Sequence, residues 1–571
     1  MSTAEHDVQP EPRVSDGGSK PLHYQSLDSQ RQEIRILRLL PGNEDDPICC
    51  TLHTITLDET SDYEALSYNW GDPQICRAIE VDGMVKDVTV NLFNALRRLR
   101  LPHEERHLWV DAICINQDDN TEKSHQVNLM SKIYSWTNRA LLWIGDFSGD
   151  KDAWPNVIPE ETAKVALDLV EDLADDKHYN PVDGGENDGP TEEQFVAVAR
   201  LLLLPWWNRA WTVQEAILPK DAVIVCGSAE LSFVRFTEAY DNALHHDYSG
   251  CCHEGHRLLL SFYQTLNGLR ETRRNHKELP IASEIINLLR NRGASDPRDK
   301  IYAYLGLVDG EVSADYTLPR EEAFKHTSRA LIERFGTLDI LLRVSESGRS
   351  PTLPTWVPDW GADINQERLF QEIEWIYSYS MFRAAGQTKA ETRNSFSKDA
   401  LDLQGFVIDR VVDTGPVLET GKDKTEMVAI WQNNVNSVYP GGGTYFEAAF
   451  HTIMTDICQS FGRRRRIKSD EDPQALFVEA LARDGEGYYL SAHGCKGFMA
   501  EKGIIGVGHP DIEVGDSICV FKGGNMPFIL REVQRDEGDV AYQYIGQAYV
   551  YKMMDGEMIN EATEWNWISL V

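Results

Sequence analysis

The chain has 571 residues and carries 56 Lys and Arg against 91 Asp and Glu, a formal net charge of −35. Nucleic acids and anionic membrane surfaces attract clustered Lys and Arg, so this acidity argues against both as partners. The length is sufficient for several domains, and 42% hydrophobic residues is typical of a globular protein. Composition therefore excludes several classes of protein but predicts no activity.

The first 30 residues are polar, contain Pro, Gly and Ser, and lack the apolar core of a secretory signal. We predict a disordered tail over residues 1–30. No apolar run approaches the roughly 20 residues that a membrane-spanning helix needs, so no membrane span is expected. The ten cysteines form no CxxC pair, which is typical of reduced thiols in an intracellular protein. The predicted location is cytoplasmic.

Strand-like and helical runs alternate between residues 34 and 144. The strand-like runs are 34–37, 63–70, 79–81, 86–90, 107–115 and 140–144. Helical spacing of apolar residues covers 92–99 and 127–134. This alternation predicts an α/β domain with a largely parallel sheet. Ligands bind beyond the carboxyl ends of the strands in such sheets, so the loops after Tyr68, Ile115 and Ile144 are the expected binding loops.

Beyond residue 150, the charge and the predicted secondary structure change along the chain. Residues 150–193 carry 14 acidic and three basic residues and are predicted to form an acidic insert. Helical patterns dominate the middle of the chain, and short strands dominate after about residue 400, including a hairpin across Gly523-Gly524-Asn525. The predicted divisions are a tail (1–30), an α/β domain with the insert (31–235), a mainly helical region (236–400) and a β-rich C-terminal region (401–571).

Three sequence blocks carry a family resemblance. They are Tyr63–Asp72 (YEALSYNWGD), Leu108–Gln117 (LWVDAICINQ) and Trp207–Glu215 (WNRAWTVQE). Together they resemble the fungal heterokaryon incompatibility (HET) domain family. Segments typical of long family members follow at 296–302, 353–360 and 549–557, so the resemblance covers most of the chain from about residue 35. It departs from the family pattern at Asn69, where a small or β-branched residue is usual, and in the length of the acidic insert.

The resemblance implies a role in non-self recognition between fungal cells, in which the HET domain triggers programmed cell death. HET domains are themselves similar to the flavodoxin-like TIR domains, some of which hydrolyse NAD at the nicotinamide–ribose bond. The resemblance thus implies a TIR-like fold, NAD as a substrate, and NAD glycohydrolase activity. The alternative is a non-enzymatic signalling or scaffold module that self-associates or recruits protein partners. A metabolic enzyme on an inherited scaffold is a third hypothesis.

The TIR analogy implies Glu215 as the catalytic residue, because it follows Trp211 by four positions as the TIR glutamate follows its Trp. A carboxylate there would stabilise an oxocarbenium-like ribose and orient water. The alternative is that Glu215 pairs with Arg209 on a helix surface. The candidate ligand-binding residues are Tyr68, Trp70, Asp111, Asn116 and Gln117. Their structural alternatives are core packing for the two aromatic residues and turn formation for the three polar ones.

Three other groups are weaker candidates. Cys114 lies in an apolar run, where a thiol is usually inert. The His and Cys residues between 245 and 256 lack zinc-finger spacing, so no metal is predicted. The basic run Arg463–Arg466 is predicted to be a solvated charge run, with a localisation patch as the alternative. The chain has no P-loop and no GxGxxG fingerprint, and no bound cofactor is predicted.

Overall fold

The structure is a computed structural model that describes most of the chain. The described residues are 22–147, 152, 155–177, 191–249, 292–308, 312–342, 346–347, 349–364, 378–433, 438–460, 463–482, 492–534 and 540–571. They form an N-terminal α/β part, a helical middle and a β-rich C-terminal part, in agreement with the predicted fold class at this level. Residues 1–21 of the predicted tail, 178–190 of the insert and the Cys251–His256 cluster lie outside the described residues.

The N-terminal sheet has nine strands within the described residues. They are β1 (Glu33–Leu39), β2 (Cys49–Thr56), β3 (Glu64–Tyr68), β4 (Cys76–Val81), β5 (Met84–Thr89), β6 (Arg106–Trp109), β7 (Arg139–Gly145), β8 (Ala222–Cys226) and β9 (Ala229–Ser232). Their order across the sheet is β5-β4-β2-β1-β6-β3-β7-β8-β9.

Parallel pairing in this sheet is limited to the central strands β6-β3-β7-β8 and to the short β2–β4 contact. The remaining neighbours are antiparallel. The hairpin β4–β5 turns at Asp82-Gly83, both with positive φ, as the Asp-Gly dipeptide favours. The prediction of a largely parallel sheet was therefore wrong for the flanks, because hairpins and the long β1–β2 pair extend a parallel centre.

Seven α-helices accompany this sheet within the described residues. They are α1 (Val90–Leu99), α2 (Asp111–Cys114), α3 (Asn120–Trp136), α4 (Glu160–Ala174), α5 (Glu192–Leu202), α6 (Thr212–Ile217) and α7 (Phe233–Ser249). The apolar run 107–115, predicted to be one strand, is β6 followed by the single turn α2. Ile113 and Cys114 stay buried in that turn, so the hydrophobic pattern does not distinguish the two conformations.

The middle region contains α8 (Asp299–Leu305) and α9 (Arg320–Phe335). The backbone N–H of Arg298 donates to Oδ1 of Asp296 at 3.0 Å just before α8. The ring of Phe324 in α9 meets Trp360 edge to face, with centroids 5.1 Å apart. None of the helices in the described part of the chain combines the length and apolarity needed to cross a bilayer.

The part of the chain after α9 contains three α-helices and twelve strands within the described residues. The helices are α10 (Gly421–Gln432), α11 (Tyr445–Ile453) and α12 (Pro473–Ala482). The strands are β10 (Glu346–Ser347), β11 (Asp363–Ile364), β12 (Thr392–Arg393), β13 (Leu401–Val417), β14 (Ile457–Ser460), β15 (Arg463–Arg466), β16 (Lys496–Ala500), β17 (Ile505–Gly508), β18 (Ser517–Phe521), β19 (Phe528–Gln534), β20 (Val540–Val550) and β21 (Asn566–Leu570). The strands β10 and β11 form a separate small pair.

The long strand β13 closes a barrel. Its second half pairs with β16 and its middle pairs with β18, which completes the ring β13-β16-β17-β20-β19-β18 by antiparallel contacts. A Cβ atom at Gly405 would collide with the Phe521 ring of β18, so the absence of a side chain allows this close approach. The predicted hairpin across Gly523-Gly524-Asn525 is confirmed as β18–β19.

Candidate functional site

Glu215 is buried in the core between α6 and the central strand β3. It is 4% exposed, and its carboxylate accepts a hydrogen bond from the hydroxyl of Ser67 in β3. The Ser67 hydroxyl in turn accepts the indole N–H of Trp206 at 2.8 Å. The indole, the hydroxyl and the carboxylate thus form a directed chain that ends on Glu215.

Burial raises the pKa of Glu215 from 4.5 to about 7. The positive charge of Arg209 and the hydrogen bond from Ser67 act in the opposite direction, and the negative charge of Asp111 adds to the rise. Glu215 therefore gains and loses its proton near neutral pH, the range in which a general acid or base is most effective.

Replacing Ser67 with Ala is expected to raise the pKa of Glu215 further, because it removes a donor that favours the charged carboxylate. A hydrogen bond to a charged group contributes about 1.5–3 kcal/mol, which corresponds to a rise of about one to two pH units. A carbon NMR titration of labelled Glu carboxyl groups measures this midpoint. Thr425→Ala, which removes an exposed hydroxyl bonded to the carbonyl of Gly421, is the control, and an unshifted midpoint in Ser67→Ala would contradict the assignment.

A cavity of about 400 Å³ opens beyond the carboxyl ends of β3 and β6. The N-terminal domain contributes residues from the loop after β3, from α2 and its following loop, from α3, and from the segment before α6. The middle region contributes the other wall, with residues 293–296, Asp299 and Tyr316. Its volume lies in the range of small-molecule sites, and its position agrees with the rule for ligand sites in parallel α/β sheets.

Three of the predicted ligand-binding residues line this cavity, namely Trp70, Asp111 and Gln117. Asp111 connects them, since its Oδ2 accepts the Trp70 indole N–H at 2.7 Å and its carbonyl accepts the Gln117 amide at 3.0 Å. Asp111 also accepts the backbone N–H of Ala112 through Oδ1 at 2.7 Å. The carboxylate thus both holds the loop and faces the cavity.

Tyr68, Asn116 and Glu215 do not line the cavity. Tyr68 is 2% exposed, and burial raises the pKa of its hydroxyl well above the usual value. Asn116 accepts the backbone N–H of Asp118 at 3.3 Å, which is the geometry of a turn. The assignment of these residues to ligand binding and catalysis stays a prediction.

Arg209 is the side chain that links the cavity to Glu215. It lines the cavity, donates to the carbonyl of Tyr68, and lies 5.9 Å from the Trp70 ring centroid. Its charge lowers the pKa of Glu215. The sequence alternative placed Glu215 and Arg209 on a helix surface, whereas Glu215 lies in the core.

Sequence reasoning missed Ser67, Lys123, Asp299 and Tyr316. The signal for Ser67 was a hydroxyl inside the apolar strand of the first block, and that for Asp299 was its place in the Asp296–Tyr302 motif. No signal marked Lys123, because a Lys on an amphipathic helix is most often solvated.

The weaker candidates have structural roles where they are described. Burial raises the pKa of the Cys114 thiol to about 12, so it is not a nucleophile at neutral pH. Arg466 pairs with Asp456 and Asp555, and Arg465 pairs with Glu471. No group of metal-ligating side chains occurs among the described residues.

Comparison with known proteins places this site in a family. Residues 63–215 match the heterokaryon incompatibility protein (HET) family, and residues 462–568 match the Het-6 beta-barrel domain. The first match contains β3, β6, Glu215 and the cavity residues of the N-terminal domain, and the second contains five of the six ring strands. The chain therefore contains a HET domain and, towards its C-terminus, a Het-6 barrel domain.

Within this family, the chain is similar to heterokaryon incompatibility protein 6, OR allele, of Neurospora crassa. The two are 26% identical over 668 aligned positions, which cover 94% of this chain and 96% of the relative. No solved structure matches the chain. The strand β13 and the cavity-wall residues 293–296, Asp299 and Tyr316 lie outside both family matches, although the barrel and the cavity depend on them.

Proposed function

We propose that this protein acts in non-self recognition between fungal cells and that its HET domain triggers cell death by hydrolysing NAD. Family membership supports the first part. The observation that carries the enzymatic part is the buried carboxylate Glu215, whose pKa near 7 and proximity to the cavity residue Arg209 suit acid–base chemistry.

The order of the parallel strands supports a TIR-like assignment of the domain. Numbered by their position along the chain, the central strands β6-β3-β7-β8 have the order second, first, third, fourth. Flavodoxin-like sheets begin with this order and bind ligands at the carboxyl ends of their strands. The cavity lies at that edge, beyond β3 and β6.

The proposed reaction converts NAD and water into nicotinamide, ADP-ribose and a proton. The bond between the nicotinamide nitrogen and C1′ of the ribose breaks, and its electron pair neutralises the pyridinium charge of the leaving group. The Glu215 carboxylate stabilises the oxocarbenium-like ribose and accepts a proton from the attacking water. Because Glu215 is 4% exposed, side chains at the base of the cavity must move for the ribose to reach it.

The second candidate function is a non-enzymatic module that self-associates or recruits partners. The observation that favours it is that Glu215 lies outside the cavity lining and is already bonded by Ser67. On this hypothesis the three sequence blocks build the fold, and the cavity residues stabilise it.

Incubation of the purified full chain with NAD separates the two candidates. We expect release of nicotinamide and ADP-ribose, measured by chromatography over a range of protein concentrations so that any assembly step is included. Cell killing on expression in a fungal host is measured in parallel. Killing without loss of NAD at any protein concentration would contradict the enzymatic proposal and favour the module.

A further inference from the structure

The middle region forms a fixed wall of the cavity. The backbone N–H of Gly293 donates to the carbonyl of Asn208 at 2.5 Å, and the N–H of Ala210 donates to the carbonyl of Gly293 at 2.9 Å. Behind this contact, the amide of Gln214 donates to the carbonyl of Ala303 in α8 at 3.1 Å. The wall is thereby attached to the segment that leads into α6.

The same wall is attached to α3 on the other side of the cavity. The side-chain amide of Asn128 donates to the carbonyl of Ala314 at 2.9 Å and accepts its N–H at 2.7 Å. Two residues later, the N–H of Tyr316 donates to the hydroxyl of Ser124 at 2.8 Å. Bonds on both sides make the wall a structural part of the site.

Tyr316 holds the ammonium group of Lys123 in the cavity. The Lys123 Nζ lies 4.4 Å from the centroid of the Tyr316 ring, a favourable cation–π distance. The Tyr316 hydroxyl donates to Asp299, which fixes the ring. Among the described residues, Lys123 forms no ion pair with a carboxylate, although the chain carries an excess of acidic groups.

The acidic side chains of the cavity are already engaged. Asp296 forms an ion pair with Arg298 at 2.6 Å, and Asp111 accepts the Trp70 indole. Asp299 accepts the Tyr316 hydroxyl, and burial raises the pKa of its carboxyl. The charge of Lys123 acts on Asp296 and Asp299 and favours their ionised forms, but neither Lys123 nor Arg209 forms an ion pair with a carboxylate among the described residues, so both positive charges face the cavity.

We propose that Lys123, held by Tyr316, binds the phosphate groups of a nucleotide together with Arg209, so that the middle region completes the ligand site. A phosphate supplies the negative charge that the two cations lack. Trp70 and Trp211 also line the cavity, and aromatic rings suit contact with a planar base. The choice of a nucleotide rests on the proposed function, whereas the anion preference follows from the charges.

Calorimetry with ADP-ribose tests this assignment in the full chain carrying Glu215→Gln, in which binding is separated from turnover. Adding Lys123→Gln is expected to weaken ADP-ribose binding by about 10–100-fold, because a hydrogen bond to a charged group is lost. Binding of nicotinamide riboside, which has no phosphate, should be unchanged. Lys123→Arg retains the charge and should restore most of the affinity, which excludes a folding defect as the cause.

Lys132→Gln is the matched control, since Lys132 lies on the same helix, 5.7 Å from the Trp136 ring centroid, and does not line the cavity. Tyr316→Leu should cause part of the loss of ADP-ribose affinity that is expected for Lys123→Gln. It should also reduce the salt dependence of ADP-ribose binding. Unchanged ADP-ribose affinity in Lys123→Gln, or no ADP-ribose binding at all, would overturn the proposal. If Lys123 is needed for binding but NAD is not hydrolysed, this proposal stands and the enzymatic one fails.

Discussion

Replacing Glu215 with Gln is expected to reduce the proposed NAD hydrolysis strongly and to stabilise the protein above pH 7. The loss of activity follows from removing the charge that faces the oxocarbenium-like ribose, and preorganised groups of this kind typically contribute about 10²–10³-fold to the rate. The gain in stability follows from removing a carboxylate that is costly to ionise in the core.

The sign of the stability effect follows from the two pKa values of Glu215. The group has a pKa of 4.5 in an unperturbed chain and about 7 in the folded protein, so the folded state binds the proton more tightly. Its contribution to stability is therefore greatest below pH 4.5, falls as the pH rises to about 7, and is constant above that. The difference between the two pKa values corresponds to about 3 kcal/mol in the free energy of unfolding. A Gln at this position does not titrate and does not lose this contribution.

Chemical denaturation at pH 5 and pH 8 measures the difference in the free energy of unfolding between Glu215→Gln and the wild type. The transition is monitored with a spectroscopic probe in the N-terminal domain. Glu160→Gln is the control, because Glu160 is 52% exposed and pairs with Lys164 at the surface of α4. A difference that does not change with pH would contradict the buried-charge account of Glu215. Retained hydrolysis in Glu215→Gln would contradict its catalytic role.

Replacing Arg35 with Met is expected to destabilise the N-terminal domain by about 3–5 kcal/mol, because it leaves a buried carboxylate unpaired. The side chains of Arg35 and Glu122 are 3% and 11% exposed and form two bonds of 2.6 and 2.9 Å. Arg35 also donates to the carbonyl of Cys114 at 2.9 Å, and Glu122 accepts the N–H of Asn116 at 2.7 Å. The pair thus fixes the loop that carries Gln117 to the cavity.

The matched control is Arg139→Met, which breaks an ion pair with Asp221 whose side chains are 44% and 48% exposed. Exposed pairs contribute less than about 1 kcal/mol. Denaturation midpoints of the two variants measure the contrast. The double change Arg35→Met with Glu122→Leu should recover much of the loss, since no charge is left buried. Equal losses in Arg35→Met and Arg139→Met would show that the buried pair has no special role.

Local periodicity predicts the elements of this fold better than their assembly. The apolar spacing of 92–99 and 127–134 corresponds to α1 and α3, and the Asp82-Gly83 turn joins β4 to β5 as expected. The mixed flanks of the sheet depend on which strands become neighbours, and nothing in a local pattern specifies this. The barrel was predicted only as short strands for the same reason.

Local sequence patterns are limited in the same way when they are used to predict the candidate site. The three family blocks identify Trp70, Asp111 and Glu215, but the bond between Ser67 and Glu215 joins residues 148 positions apart. The contact between Ser124 and Tyr316 spans 192 positions. Long-range contacts of this kind determine which residues share a cavity, and no spacing rule predicts them.

The closure of the barrel by β13 has a consequence for how the protein is made. Arg410 in β13 pairs with Glu532 in β19, 122 residues further along the chain. While the ribosome synthesises residues 418–495, the short strand β12 is the one described neighbour of β13 that has been made, and unpaired strand edges promote association with other chains. Such distant pairings also form slowly. Premature termination within 418–495 would therefore leave a nascent product prone to aggregation, with the N-terminal domain already synthesised ahead of it.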